Sequence, residues 1–197
     1  QHMLSTVITA FSIALASGLL MSVWVVKDQA RASFTGVDSG FDGVFGARGS
    51  KLQLVLNSIF HLEASPGNLS WEQYERIAAD RRVATAVPIA VGDNYHGYRL
   101  VGVTTNLFEV EYREGKKYAV RDGYLFNPKK KQAVVGSFAA DRLKLKLGDT
   151  FHPYHGLIFD ENNQHAETYV VSGIMEPSNT PADRVIWIPI AGLQNMA

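Results

Sequence analysis

The chain has 197 residues, 46% of them hydrophobic, with nineteen basic residues balanced by nineteen acidic ones and no cysteine. That length suits one medium domain or one domain built of two lobes, and the hydrophobic fraction argues against disorder. Balanced charge without a nucleic-acid motif sets DNA and RNA aside as partners, and the absence of cysteine excludes disulfides, cysteine zinc sites and thiol catalysis.

Residues 1–3, Gln1-His2-Met3, read as a cloning scar. From Leu4 to Val26 the chain carries no charge and no proline. As a helix rising about 1.5 Å per residue this stretch can cross a hydrocarbon core of about 30 Å. Its hydroxyls (Ser5, Thr6, Thr9, Ser12, Ser17, Ser22) can bond back to the helix, and Trp24 sits near one end, where an interfacial aromatic belongs. Two other readings compete. A cleaved signal peptide would use Ala30-Arg31-Ala32, but the apolar run is long for one and Lys27, Asp28 and Arg31 crowd that site. A buried soluble helix would carry a polar stripe, which this one lacks.

Lys27–Phe34 can extend the helix as a polar stalk. The glycine-rich stretch 36–49 reads as a loop with a short strand around Phe41, Val44 and Phe45. Ser50 is placed to cap a helix over Lys51–Leu62, with Leu52, Val55, Leu56, Ile59 and Phe60 spaced as one buried face. Ser65-Pro66-Gly67-Asn68 ends it. Ser70 and Gln73 form a capping-box pair for a second helix from Trp71 to about Asp80. Strand-like runs follow at 82–92 and 98–105, then a polar, turn-rich loop from Glu109 to Lys131. A strand at 133–137 enters a short helix over Phe138–Leu143. A turn at 147–149 leads into a strand, and a polar loop runs from Pro153 to Glu167. The strands 168–175 and 184–190 flank a turn at Glu176–Asp183. Strands mixed with segregated helices give an α+β class.

Three histidines fall around the polar loop: His152, His155 and His165, with Asp160, Glu161 and Glu167 near them. A His-x-x-His pair brings two imidazoles within reach of one ion, and His165 or a carboxylate could complete a tetrahedral zinc site. The alternative is a solvated polar loop. His61 and His96 read as ordinary surface or satisfied histidines, and Lys129-Lys130-Lys131 as a solvated turn that could also meet anionic head groups. Gly46-Ala47-Arg48-Gly49-Ser50-Lys51 resembles a phosphate loop superficially, but fails on spacing and on the Ser-Lys order. No Gly-x-Ser-x-Gly elbow, no His-Glu-x-x-His and no serine with an evident base is present, so no catalytic residue and no organic cofactor is expected.

The ordered series is more specific than any one of its parts. An apolar helix precedes GFDGVFGARGSKLQLVLNSIFHLEASPGN, then RLVGVTTNLFEV, AVVGSFAADRLKLKLGDTF and YVVSGIMEPSNTPADRVIWIPIAGL. This succession resembles the MacB-like periplasmic core that follows the first membrane helix of FtsX-type ABC transporter permeases. The resemblance implies a cytoplasmic N-terminus, a transmembrane helix at 4–26, and a periplasmic core at 27–197 in the bacterial inner membrane. It implies a mixed α/β lobe near the membrane, about 35–105 and 170–197, and a smaller β-rich lobe inserted at about 106–169. It further implies a permease homodimer or heterodimer, a separate cytoplasmic ATPase subunit, and lipoprotein or peptide cargo. The chain is expected to continue past Ala197 into further membrane helices. The function implied is transmission of ATP-driven motion to envelope cargo without catalysis; the alternative is a membrane-anchored zinc-binding module.

Overall fold

A computed structural model describes residues 2–35, 40–62, 64–154 and 166–194. The chain divides into two compact units, residues 1–38 and 39–197.

The first unit is one helix, α1 (His2–Thr35), which runs without a break through the polar stretch after Val26. Residues Met3–Gln29 have a mean hydropathy of 1.9 and form the one helix among the described residues long and apolar enough to cross a membrane. Its apolar side chains, Phe11 and Leu20 among them, are exposed. Thr9 Oγ1 donates to the Ser5 carbonyl at 2.9 Å and Ser22 Oγ to the Gly18 carbonyl at 2.8 Å. These two hydroxyls are thus satisfied within the helix, as a lipid environment demands.

The second unit begins with two short helices. α2 (Lys51–Ser58) is capped by Ser50, whose Oγ accepts the Gln53 N–H. α3 (Trp71–Ala78) starts with the reciprocal box expected of Ser70 and Gln73. Among residues 40–49 no strand forms, and Phe45 is exposed while Phe41 packs on the core.

Nine strands follow among the described residues. They are β1 (Ile89–Tyr95), β2 (Tyr98–Val103), β3 (Glu111–Arg113), β4 (Lys116–Lys117), β5 (Val120–Gly123), β6 (Gln132–Val135), β7 (Thr150–Phe151), β8 (Tyr169–Met175) and β9 (Ile186–Pro189). Between them lie a 3-10 turn at Thr105–Glu109, α4 (Ser137–Leu143) and a second 3-10 turn at Pro181–Arg184, and α5 (Ile190–Gln194) follows β9. Seven strands form one mixed sheet in the order β1-β2-β9-β6-β8-β5, with β7 also paired to β8. The β2–β9 and β6–β8 pairs are parallel; the others are antiparallel. The β1–β2 hairpin turns through His96 and Gly97, both at positive φ, the pattern of a two-residue turn matched to strand twist.

Alternation along the strands supplies two cores. Leu100, Ala133, Val135, Ile186 and Ile188 face α4, with Leu193 of α5 packed alongside. Val101, Val103, Val134 and Trp187 face the other way, joined by Leu107, Phe108 and Phe126. A register shift in the β6–β8 pair lets Val171 and Ile174 share one face despite their odd spacing.

The structure differs from the sequence reading in two places, the loop 109–131 and the buried face of α2. The loop expected at 109–131 contains β3, β4 and β5. These strands are short and mostly exposed, so they show no apolar alternation. The sheet also draws on strands from distant parts of the chain. β6, from the segment 106–169, lies between β8 and β9, and β9 joins it to β2. Residues 39–197 accordingly group as one unit. In α2, Leu52 is 67% exposed and Val55 40% exposed, so they are not part of a buried face. The inward stripe is Leu54, Asn57, Ser58 and His61, the same helical period rotated around the axis.

Candidate functional site

The end of α2 holds a feature that its sequence does not advertise. After Ile59 the chain turns, and His61 takes a left-handed conformation with φ +55. The Leu62 N–H donates to the Leu56 carbonyl at 3.0 Å, and Arg99 of β2 donates to the Leu62 carbonyl at 3.0 Å. This geometry turns the His61 ring inward, edge-on to the Trp187 indole of β9 at 5.3 Å between centroids and 89° between planes. His61 is only 5% exposed, and its Nδ1 has no hydrogen-bond partner among the described residues. Burial lowers its pKa from 6.5 to about 4; hydrogen bonding to the Asn57 backbone opposes that shift and the Arg99 charge adds to it.

The loop joining β8 to β9 is the second built feature. The Asp183 carboxylate is buried and accepts from the Ser178 N–H with both oxygens at 3.0 Å, from Ser178 Oγ at 2.8 Å and from the Asn179 N–H at 2.7 Å. Thr180 Oγ1 lies 2.7 Å from Ser178 Oγ and accepts the Ala182 N–H. Trp187 Nε1 donates to the Ala182 carbonyl, so this loop and the indole beneath His61 are held together. Tyr118 also bonds to the Thr180 side chain, and burial raises its phenol pKa. A carboxylate wholly engaged by backbone and hydroxyl donors has no lone pair directed at a substrate; the network organises a turn.

The predicted metal set falls partly outside the described residues. His152 follows β7 and is half-buried; His155 and His165 are not among the described residues. The approach to the set is fixed: β7 pairs with β8, and Tyr154 exchanges both backbone hydrogen bonds with Asn94 at 3.0 and 3.1 Å. Among the described residues no group of three or more potential ligands gathers. His96 sits in the β1–β2 turn against Tyr95, with ring centroids 4.5 Å apart. In the basic run, Lys131 lies 3.6 Å from Glu167, while Lys129 and Lys130 are exposed in a turn closed by Asn127. The sequence reading placed His61 among ordinary surface or satisfied histidines and gave Asp183 no role beyond ending a turn at Glu176–Asp183. The left-handed residue and the loop network depend on partners far along the chain.

An apolar helix followed by a mixed sheet with this order of elements can be set beside known proteins. The profile of the MacB-like periplasmic core domain matches residues 5–197. The chain belongs to that family. It is a periplasmic domain of the MacB/FtsX kind, from an ABC-type transporter permease. Among solved structures, it is similar to the extracellular domain of the noncanonic ABC-type transporter YknZ from Gram-positive bacteria. The two are 19% identical with a TM-score of 0.45, and the match covers 76% of this chain and 73% of the other. No curated protein matches. In this family setting α1 is the domain's candidate membrane anchor.

Proposed function

We propose that this chain is the first membrane helix and periplasmic core of an inner-membrane permease subunit that transmits ATP-driven motion to envelope cargo or to a partner protein. It does so without chemistry of its own. The observation that carries the reading is the family match across residues 5–197, spanning both the long apolar helix and the sheet domain. Two physical features support it. Helices and a sheet with two packed faces transmit displacement because their interiors are close-packed. The most heavily hydrogen-bonded buried carboxylate, Asp183, is committed to a turn. ATP hydrolysis belongs to a separate cytoplasmic subunit, and the permease pairs as a homodimer or heterodimer.

The test is purification of the full-length subunit from native membranes by a tag on the permease alone. An ATPase subunit is expected to co-elute stoichiometrically, and ATP binding is expected to shorten distances between spin labels on the two periplasmic domains. Elution without an ATPase, and labels insensitive to nucleotide, would remove the reading.

A zinc-binding module is the second reading. It is favoured by the backbone pairings that hold His152 and Tyr154 at the start of the His-x-x-His sequence. It expects one-to-one binding in the micromolar range or tighter by calorimetry, lost in the His152→Ala/His155→Ala/His165→Ala variant. Absence of heat in the parent protein would retire the site.

A further inference from the structure

We infer that His61 is an acid-released latch that holds the end of α2 on the sheet. Its geometry is that of a keyed contact. The residue occupies a left-handed position, where a side chain with a Cβ is disfavoured by about 1 kcal/mol or more and persists only if its surroundings hold it there. What holds it is the imidazole itself, inserted edge-on against Trp187 in the sheet core. Glycine would relax the backbone but leave the indole uncovered.

The same contact disfavours a second proton on the ring, and only the Asn57 backbone opposes that effect. A protonated ring donates from both nitrogens, and Nδ1 has no hydrogen-bond partner among the described residues. Among the described residues the groups packed on it supply no anion: Asn57 of α2 and Trp187 of β9 are neutral. The charged group among them that acts on the ring is Arg99 of β2, whose guanidinium is already bound to the Leu62 carbonyl and repels a second positive charge. Protonation therefore favours the conformation in which the ring leaves the sheet. Leu56, Leu62 and the Arg99 contact leave with it, because they belong to the same turn.

The sign follows from the docked pKa lying below the free one. Docking is at full strength above pH 6.5 and weakens as pH falls toward about 4, below which both forms carry the proton and nothing further is lost. Between pH 7.5 and 4.5 the open fraction of the α2 end rises about 70-fold by this linkage. This inference is independent of the transport reading, since it concerns one contact within residues 39–197.

Hydrogen exchange read by mass spectrometry on the full chain in detergent micelles tests it. Rates at pH 7.5 and 4.5 are corrected for the intrinsic pH dependence of amide exchange. Protection of segment 51–62 is expected to fall by tens of fold at pH 4.5, while β6 and β8 stay protected. In His61→Phe, which keeps an aromatic edge on Trp187 without a titrating group, protection of that segment is expected to be independent of pH. His61→Gln serves the same comparison if the phenylalanine variant does not fold. Unchanged protection of 51–62 in the parent protein at pH 4.5 would overturn the latch, and so would the same acid-induced loss in the non-titrating variant.

Discussion

Replacing Asp183 by alanine is expected to lower stability by about 3 kcal/mol or more, a large share of the roughly 5–15 kcal/mol that holds a domain together. The reason lies in what the carboxylate satisfies. Two backbone N–H groups, those of Ser178 and Asn179, and the Ser178 hydroxyl all donate to it within 3.0 Å. Alanine leaves the buried Ser178 N–H without a partner, and a lost acceptor costs more than a hydrogen bond contributes. The hydroxyl is the one donor with a ready alternative, because Thr180 Oγ1 lies 2.7 Å away. Asparagine recovers only part of the loss. Its amide retains one acceptor oxygen but turns an NH2 group toward donors that the carboxylate formerly accepted. Thermal unfolding in mild detergent, followed by near-ultraviolet circular dichroism, should show Asp183→Ala melting about 10 °C lower and Asp183→Asn between it and the parent protein. A melting temperature within 2 °C of the parent for Asp183→Ala would mean that water replaces the carboxylate at little cost.

How far the sequence could be read depended on where each signal is stored. Caps are local. Ser50, and the Ser70–Gln73 pair, act within four residues, and the structure places them as their spacing dictates. Strands buried on both faces, such as β2 and β9, are apolar runs bounded by turns and were legible for that reason. β5 was not: it is an edge strand with Arg121, Asp122 and Gly123 exposed, and its identity comes from pairing with β8. α2 shows a subtler failure. Its period was correct, but polarity assigned the inward face to Leu52 and Val55, whereas the sheet receives Asn57 and His61. The partners that receive this end of α2, Trp187 and Arg99, lie far along the chain, and nothing near α2 in sequence reports them. The place of β6 between β8 and β9 is likewise a long-range pairing that no local signal reports. The candidate metal set was legible as spacing alone, and of its members the structure describes only His152.

The same long-range logic makes Gly136 the position where the smallest side chain should do large damage. Its φ of −57 and ψ of 145 are open to any residue, so alanine would by local reasoning be neutral or mildly stabilising through the unfolded chain. The surroundings reverse that expectation. A Cβ on Gly136 would lie 2.5 Å from the Asp183 carbonyl oxygen and 2.6 Å from that of Ala182, both backbone atoms that cannot swing aside as a side chain does. Neither partner is free to retreat. The Gly136 N–H donates to the Val185 carbonyl and the Gly136 carbonyl accepts from Ala140, so this residue joins β6 to α4 while touching the 3-10 turn. That turn is in turn fixed by the Asp183 carboxylate. Gly136→Ala is therefore expected to cost about 3 kcal/mol, the upper part of the usual range for overpacking. The two substitutions strain one segment, so their effects should not add. In the double variant the turn, already released by the loss of Asp183, can shift away from the new methyl, and the total loss should fall short of the sum of the single losses by 1 kcal/mol or more. Urea unfolding of the parent, the two single variants and the double variant measures that difference directly. Strict additivity would show that the junction at Gly136 yields from the α4 side instead, and that the Asp183 network does not hold the turn against it.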